Sequence, residues 1–372
     1  MKPQLACSRY PSRPYRMIAL FLSYLASLTA VCQDAPAHTP SSPTVQRIVT
    51  LRALGGQVDW SPSQNLIAYD APDSAGYYQL HVMAPDGSAD RCLTCNDPRL
   101  PRRTHRGSPT WRPDGHFIVF IAEKASHPGM SYEALPGFGQ FCDLWAIALD
   151  GGQLIQLTNL PATRGSGVLM PHFSRDGLYL SWTQMKAPAK IFDLSARQTA
   201  GYWTLRTARF EATPSGAQLS EIKAYEPVVD SFYENDGFTP DGTGLLFTGS
   251  RGGSIWSSDA YILDLASGTI VSRLTNLQYN EHAVYSPDGT HILWMTNLGN
   301  GAQGATDWWI MDADGSNKRR LTYFNQRGHP EFRGKVWATD ASWSPDGHSF
   351  VGYVQGNLLT QTGDIVRVDL NQ

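Results

Sequence analysis

The sequence predicts an all-β fold, a six-bladed β-propeller of four-stranded blades whose ring is closed by the N-terminal strand. Three observations carry that expectation. The composition sets Gly 34 and Pro 24 beside Trp 11, Tyr 16 and Phe 14, with only 17% charged residues. Turn formers mixed with aromatics suit short strands joined by tight turns, and the mixture excludes a disordered chain or a coiled coil. An aromatic-centred turn motif recurs six times. Between its copies, apolar runs of strand length recur in the same order.

The motif is centred on Trp60, Trp111, Phe173, Phe238, Tyr285 and Trp343, spaced 51, 62, 65, 47 and 58 residues apart. Its fullest form is Tyr285-Ser286-Pro287-Asp288-Gly289 or Trp343-Ser344-Pro345-Asp346-Gly347. Proline presets the first corner of a turn, aspartate bonds nearby backbone, and glycine takes the left-handed position that closes a hairpin. Two copies depart from its Pro-Asp-Gly part: the first has Ser63-Gln64 in place of Asp-Gly, and the third has Arg175 in place of proline.

Each turn is followed by a strand such as Phe117-Ile118-Val119-Phe120 or Ile292-Leu293-Trp294-Met295. A third strand then recurs (Asp143-Leu144-Trp145, Asp307-Trp308-Trp309), and a fourth ends in Leu-Thr at Leu93-Thr94, Leu157-Thr158, Leu274-Thr275 and Leu321-Thr322. Small four-stranded sheets cannot bury both faces singly, but they can as blades around an axis. The last unit stops at its third strand, Gly363 to Leu370, whereas a spare strand, Val45 to Leu51, precedes the first. The spare strand is expected to complete the sixth blade and remove two open sheet edges.

The repeat resembles the TolB-like β-propeller family, whose blades share the aromatic-Ser-Pro-Asp-Gly turn, an Ile-Ala-Phe type strand and an Asp-X-Asp-Gly turn before Leu-Thr. The resemblance covers Val45 to the C-terminus. TolB proteins carry a further α/β domain ahead of their propeller. Here the sequence places a linker in that position, so the resemblance implies an isolated propeller and does not by itself carry over a role in the Tol system of the cell envelope.

Ahead of the blades, Lys2, Arg9, Arg13 and Arg16 precede an apolar run from Met17 to Val31. This is the pattern of a signal peptide over residues 1–32, too short for a membrane span. The expected location is therefore periplasmic or extracellular, with no transmembrane span in the mature chain. A lipid anchor on Cys32 fits poorly, because Val31 is bulky and Leu28 stands one place too far back. Residues 33–44 read as a Pro/Ser linker. Cleavage after residue 32 would move the formal net charge from −3 to −7, since residues 1–32 hold four Lys/Arg and no Asp or Glu. A mildly acidic exported chain has no global electrostatic reason to bind nucleic acid.

Strand order puts the long connections on one end of the ring: Asn96 to Gly107, Ala122 to Phe141, Gln184 to Gly201, Gly249 to Ser258, Thr296 to Thr306 and Tyr323 to Lys335. Loops on a rigid scaffold commonly bind. Polar residues gather where this end meets the channel: His105 and Arg106, Glu234, Asn235 and Asp236, Glu281 and His282, and Asp340. Pointing inward, they would make a site for a cationic ligand or a divalent metal, with His282, Glu281 and Asp340 as candidate metal ligands; otherwise they cap strands or line a wet channel.

No Gly-X-Ser-X-Gly elbow is present, and Gly252-Gly253-Ser254 reads as a loop tip rather than a phosphate-binding glycine loop. The expected function is non-catalytic binding of an envelope protein, peptide or glycan through the loop-rich face. The rival is a metal-dependent lyase or hydrolase at the channel mouth, since some propeller lyases bind metal with such groups. Cys92-Leu93-Thr94-Cys95 lacks the following His of a haem motif. In an extended strand its two cysteines would face opposite ways. The expected disulfide is therefore between Cys95 and Cys142, with three unpaired cysteines as the alternative.

Overall fold

The computed structural model describes residues 43–126, 131–187, 201–213, 216–228, 231–250, 255–276, 278–301, 304–356 and 361–371. Residues 1–42, which hold the expected signal peptide and most of the expected linker, and parts of the Gln184 to Gly201 and Gly249 to Ser258 connections lie outside them. Local chemistry at the turns sets the architecture. In four blades the motif hydroxyl bonds its own aspartate, as Ser174 to Asp176 and Ser344 to Asp346 do at 2.6 Å. The closing glycine has positive φ, 78° at Gly289 and 72° at Gly347, where a side chain would be strained. Arg175, which replaces proline, reaches across to the Ser286 carbonyl at 3.0 Å.

These turns fold the chain into six four-stranded antiparallel sheets. Blades 1 to 5 begin with innermost strands Val58–Trp60, Arg106–Trp111, Val168–Phe173, Tyr233–Phe238 and Asn280–Tyr285. Each then runs outward in sequence order. Blade 6 contains Trp337–Trp343, Ser349–Gln355 and Gly363–Asn371, and its outermost strand is Thr44–Gly55. Thr44 pairs with Asn371 and Gly55 with Gly363. The closing strand is thus longer than the Val45 to Leu51 segment expected.

The Leu-Thr ends have a shared task. Each threonine hydroxyl accepts from the third strand's backbone, as Thr322 does from Trp308 N–H at 3.0 Å and Thr158 from Leu144 N–H at 2.9 Å. Three of them also donate to the aspartate that opens that strand, Asp143 and Asp259 at 3.0 Å and Asp307 at 3.2 Å, whereas Thr94 donates to Gln79 at 3.0 Å. A hydroxyl thereby continues the ladder where the fourth strand stops.

Apolar side chains fill the spaces between blades. Val58, Trp60, Ile67 and Tyr69 of blade 1 pack with Val351, Tyr353 and Ile365 of blade 6, sealing the ring. Asp59 ties the same seam: its carboxylate accepts from Ser342 of blade 6 at 2.7 Å and from Trp111 N–H of blade 2 at 2.6 Å. Burial raises its pKa to about 6 against those hydrogen bonds. Among the described residues, no helix is long and apolar enough to cross a membrane.

Candidate functional site at the channel mouth

The innermost strands share a register. Counting three residues back from each anchor aromatic gives Gln57, Ser108, Met170, Asn235, His282 and Asp340. In five blades the pairing of this strand slips near that position, between Gly107 and Thr110, Leu169 and His172, Asn235 and Gly237, Glu281 and Val284, and Ala338 and Ala341. Such bulges re-aim a side chain. Ser108, Met170 and His282 take left-handed φ of 51°, 51° and 52° there. Several of these residues meet across the channel: Gln57 Nε2 lies 3.2 Å from Met170 Sδ, Asn235 Nδ2 donates to the Met170 carbonyl at 2.8 Å, and His282 contacts Asp340.

One position further back stand Glu234 and Glu281, which line the mouth above this ring. His282 Nδ1 lies 2.9 Å from Asp340 Oδ1 and 3.9 Å from Glu234 Oε2, while its Nε2 lies 3.9 Å from Glu281 Oε2. The Asp340 contact is the shortest of the three charge contacts around the imidazole. Tyr279 donates its hydroxyl to Glu281. Glu234 Oε2, Asp340 Oδ2 and Asp236 Oδ1 are buried and accept no hydrogen bond.

Burial and charge pull these groups apart in acidity. Burial opposes the His282 imidazolium, but Asp340, Glu234 and Glu281 outweigh it and hold its pKa well above the usual histidine value. Burial acts against Asp340 too, yet the His282 charge leaves its carboxyl below its ordinary range. Glu234 and Glu281 are raised, first by desolvation and then by neighbouring carboxylates, and Asp236 is pushed up to about 8 by burial. His172, beside the same cluster, is lowered to about 4 by burial.

The acidic floor opens into a cavity of about 450 Å³. Its walls are largely aromatic: Tyr132, Phe138, Trp203, Phe232, Trp256 and Trp337 contribute, and Gln140 and Gln361 line it as well. Most of these residues belong to connections or strand ends without a repeating position, so the motif did not reveal them. Gln57 and Met170 could have been found from the register of the anchor aromatics.

Of the residues singled out from sequence, Glu234, Glu281, His282 and Asp340 converge on the mouth. Ligand atoms of Glu234, Glu281 and His282 lie within 4.8 Å of one another, while Asp340, the third metal ligand expected, lies 2.9 Å from His282 outside that grouping. His105, Arg106 and Asn235 are engaged elsewhere. His105 Nδ1 accepts from Tyr78 N–H at 3.1 Å, and the His105 backbone N–H donates to Glu123 at 2.8 Å. Arg106 clamps Gln79 and Thr104 at 2.8 and 2.9 Å. Asn235 is fully buried between blades 3 and 4, its Nδ2 donating to Ser181 at 3.0 Å.

The expected Cys95–Cys142 bridge is not formed: Cys92 and Cys95 are bonded to each other, and Cys142 is a buried free thiol. The expectation failed because the fourth strand ends at Cys92. The chain then turns, bringing the two Cα atoms to 5.8 Å, within bridging distance. Cys142 instead sits in the blade 2 core, its thiol near the Ala134 carbonyl at 3.6 Å.

No protein-family model matches the chain. It is 25% identical over 319 residues to dipeptidyl-peptidase 5 of Porphyromonas endodontalis, a match covering 73% of this chain and 42% of that protein. Over 128 residues it is 32% identical to the Tol-Pal system protein TolB of Anaeromyxobacter dehalogenans, covering 34% of this chain and 25% of the relative. The chain thus spans less than half the length of these curated relatives. The crystal structure of TolB from Acinetobacter baumannii superposes with a TM-score of 0.53 at 19% identity, covering 83% of this chain and 64% of that one. Six closed blades, the recurring turn and these likenesses together make the described part of this chain a TolB-like β-propeller.

Proposed function

We propose that this chain is an exported binding module that captures a positively charged side chain or amine of a protein or peptide partner in its channel mouth. The observation that carries this reading is the buried acidic floor, with oxygens of Glu234 and Asp340 that accept no hydrogen bond beneath aromatic walls. Aromatic faces and carboxylates both attract a desolvated cation, and an arriving cation would satisfy the orphaned acceptors. The likeness to dipeptidyl-peptidase 5 favours a peptide over a glycan. The signal-peptide pattern of residues 1–32 supports export and an envelope partner.

Calorimetric titration tests this with an acetylated, amidated lysine or arginine tripeptide and its norleucine counterpart. The cationic peptide should bind, more tightly as pH rises, because binding must ionise Glu234 and Glu281, whose free-state pKa values are raised. Combining Glu234→Gln with Asp340→Asn should weaken it at least 10-fold, since a hydrogen bond to a charged group is worth about 1.5–3 kcal/mol. Equal binding of the neutral peptide, or indifference to the double substitution, would overturn the reading.

A metal-dependent enzyme is the second reading, favoured by the Glu234, Glu281 and His282 grouping. It requires an incoming divalent ion to displace the proton that the carboxylates hold on His282. That requirement places it behind cation capture.

A further inference from the structure

On the outer strands of blade 1, His81 faces Cys92 in register across the sheet. The turn after Cys92 returns Cys95 towards both: its N–H donates to Cys92 Sγ at 3.0 Å, and its Sγ stands 3.9 Å from His81 Nε2. The three potential ligand atoms lie within 4.8 Å of one another. The other imidazole nitrogen, Nδ1, is 3.1 Å from Asp90 Oδ1, and Asp90 is held by the Tyr69 hydroxyl at 2.5 Å and by Arg52. Tyr69 also stacks on the imidazole, ring centres 5.2 Å apart. The ring is thus oriented from one side, and Nε2 is turned towards the sulfurs.

We propose that reduction of the Cys92–Cys95 disulfide creates a zinc site on Cys92 Sγ, Cys95 Sγ and His81 Nε2, with a fourth coordination position open to solvent or an external ligand. Two thiolates and an imidazole select zinc over hard cations such as magnesium or calcium. Zinc bonds of about 2.3 Å to sulfur and 2.0–2.1 Å to nitrogen put tetrahedral ligands roughly 3.5–3.8 Å apart. The His81–Cys95 separation of 3.9 Å is close to that already. Forming the site requires the two sulfurs to part by side-chain rotation. The Cys95 N–H would stabilise a thiolate on Cys92, and Asp90 would hold His81 in the tautomer that presents Nε2.

The chemistry balances with a phosphine as reductant. The disulfide, one phosphine and one water give two thiols and a phosphine oxide. Zinc then replaces the two thiol protons, which pass to solvent. In a cell a dithiol would serve, itself becoming a disulfide.

Cobalt(II) tests the proposal on the whole chain, because thiolate ligation gives a charge-transfer absorption that carboxylate ligation at the channel mouth does not. The phosphine-reduced chain should bind one cobalt with that absorption, and zinc should displace it. The oxidised chain and Cys95→Ser should lack the band, and Asp90→Asn should weaken zinc about 10–100-fold, as loss of an orienting partner does. A reduced chain without the thiolate band refutes the proposal. So does a reduced chain that loses its folded circular dichroism, which would make the disulfide a structural staple.

Discussion

Replacing His282 with glutamine removes the positive charge that Asp340, Glu234 and Glu281 surround at 2.9, 3.9 and 3.9 Å. At an effective dielectric of about 20, each such contact is worth roughly 4 kcal/mol before desolvation is charged against it. Burial of all four groups offsets most of this. The expected net loss is that of breaking a buried pair, about 3–5 kcal/mol. The loss should depend on pH in a defined direction. His282 has a folded pKa raised above its unfolded value, so its contribution is complete below about 6.5 and disappears as pH rises through the folded value. Asp340 is lowered, so its contribution is complete above about 3.8 and disappears as pH falls through the folded value. Urea unfolding across pH 3 to 10 should therefore show the largest gap between wild type and His282→Gln from mildly acidic to neutral pH, narrowing at both ends. A gap that is constant across the range would mean that the substitution disturbs packing alone, and the electrostatic account of the mouth would be wrong.

Gly352→Ala should destabilise the seam between blades 5 and 6 by about 1–3 kcal/mol, the usual cost of overpacking. Its Cβ would stand 2.4 Å from the Trp308 ring and 2.9 Å from the Asp340 carbonyl, where Trp308 is fully buried and donates to Thr339 at 2.8 Å. A lowered urea midpoint with an unchanged slope checks this, and an unchanged midpoint contradicts it. Deleting residues 44–55 should leave the Gly363–Asn371 edge unpaired. Light scattering should then show concentration-dependent association, and a monomer that unfolds in one transition would count against the closure argument.

Blade number and ring closure were legible in the sequence because an aromatic-centred turn recurs at the first hairpin of each blade, with the same hydroxyl–aspartate bond in four of the six. The mouth was legible only in part. Glu281 and His282 stand four and three residues before Tyr285, the positions that the bulged strand turns towards the channel. His105 and Arg106 stand six and five before Trp111, where the strand is entering the blade, and they were spent on loop anchoring. The aromatic walls were hidden for another reason: Tyr132, Trp203 and Trp256 come from different connections and strand ends, and only the closed ring brings them together. The cysteine pairing was misjudged because strand geometry was extended three residues beyond the end of the pairing at Cys92.

The salt bridge from Arg47 to Asp369 at 2.8 Å joins residues 322 positions apart in the chain. Bringing such distant segments together costs about 5 kcal/mol of loop-closure entropy if the intervening blades are still unfolded. Once those blades are stacked, most of that cost has already been met by their own contacts. The first of the described strands must therefore wait, unpartnered, for the last. Docking of this segment belongs at the end of folding, and until then the nascent ring presents two adhesive borders that a chaperone has reason to cover.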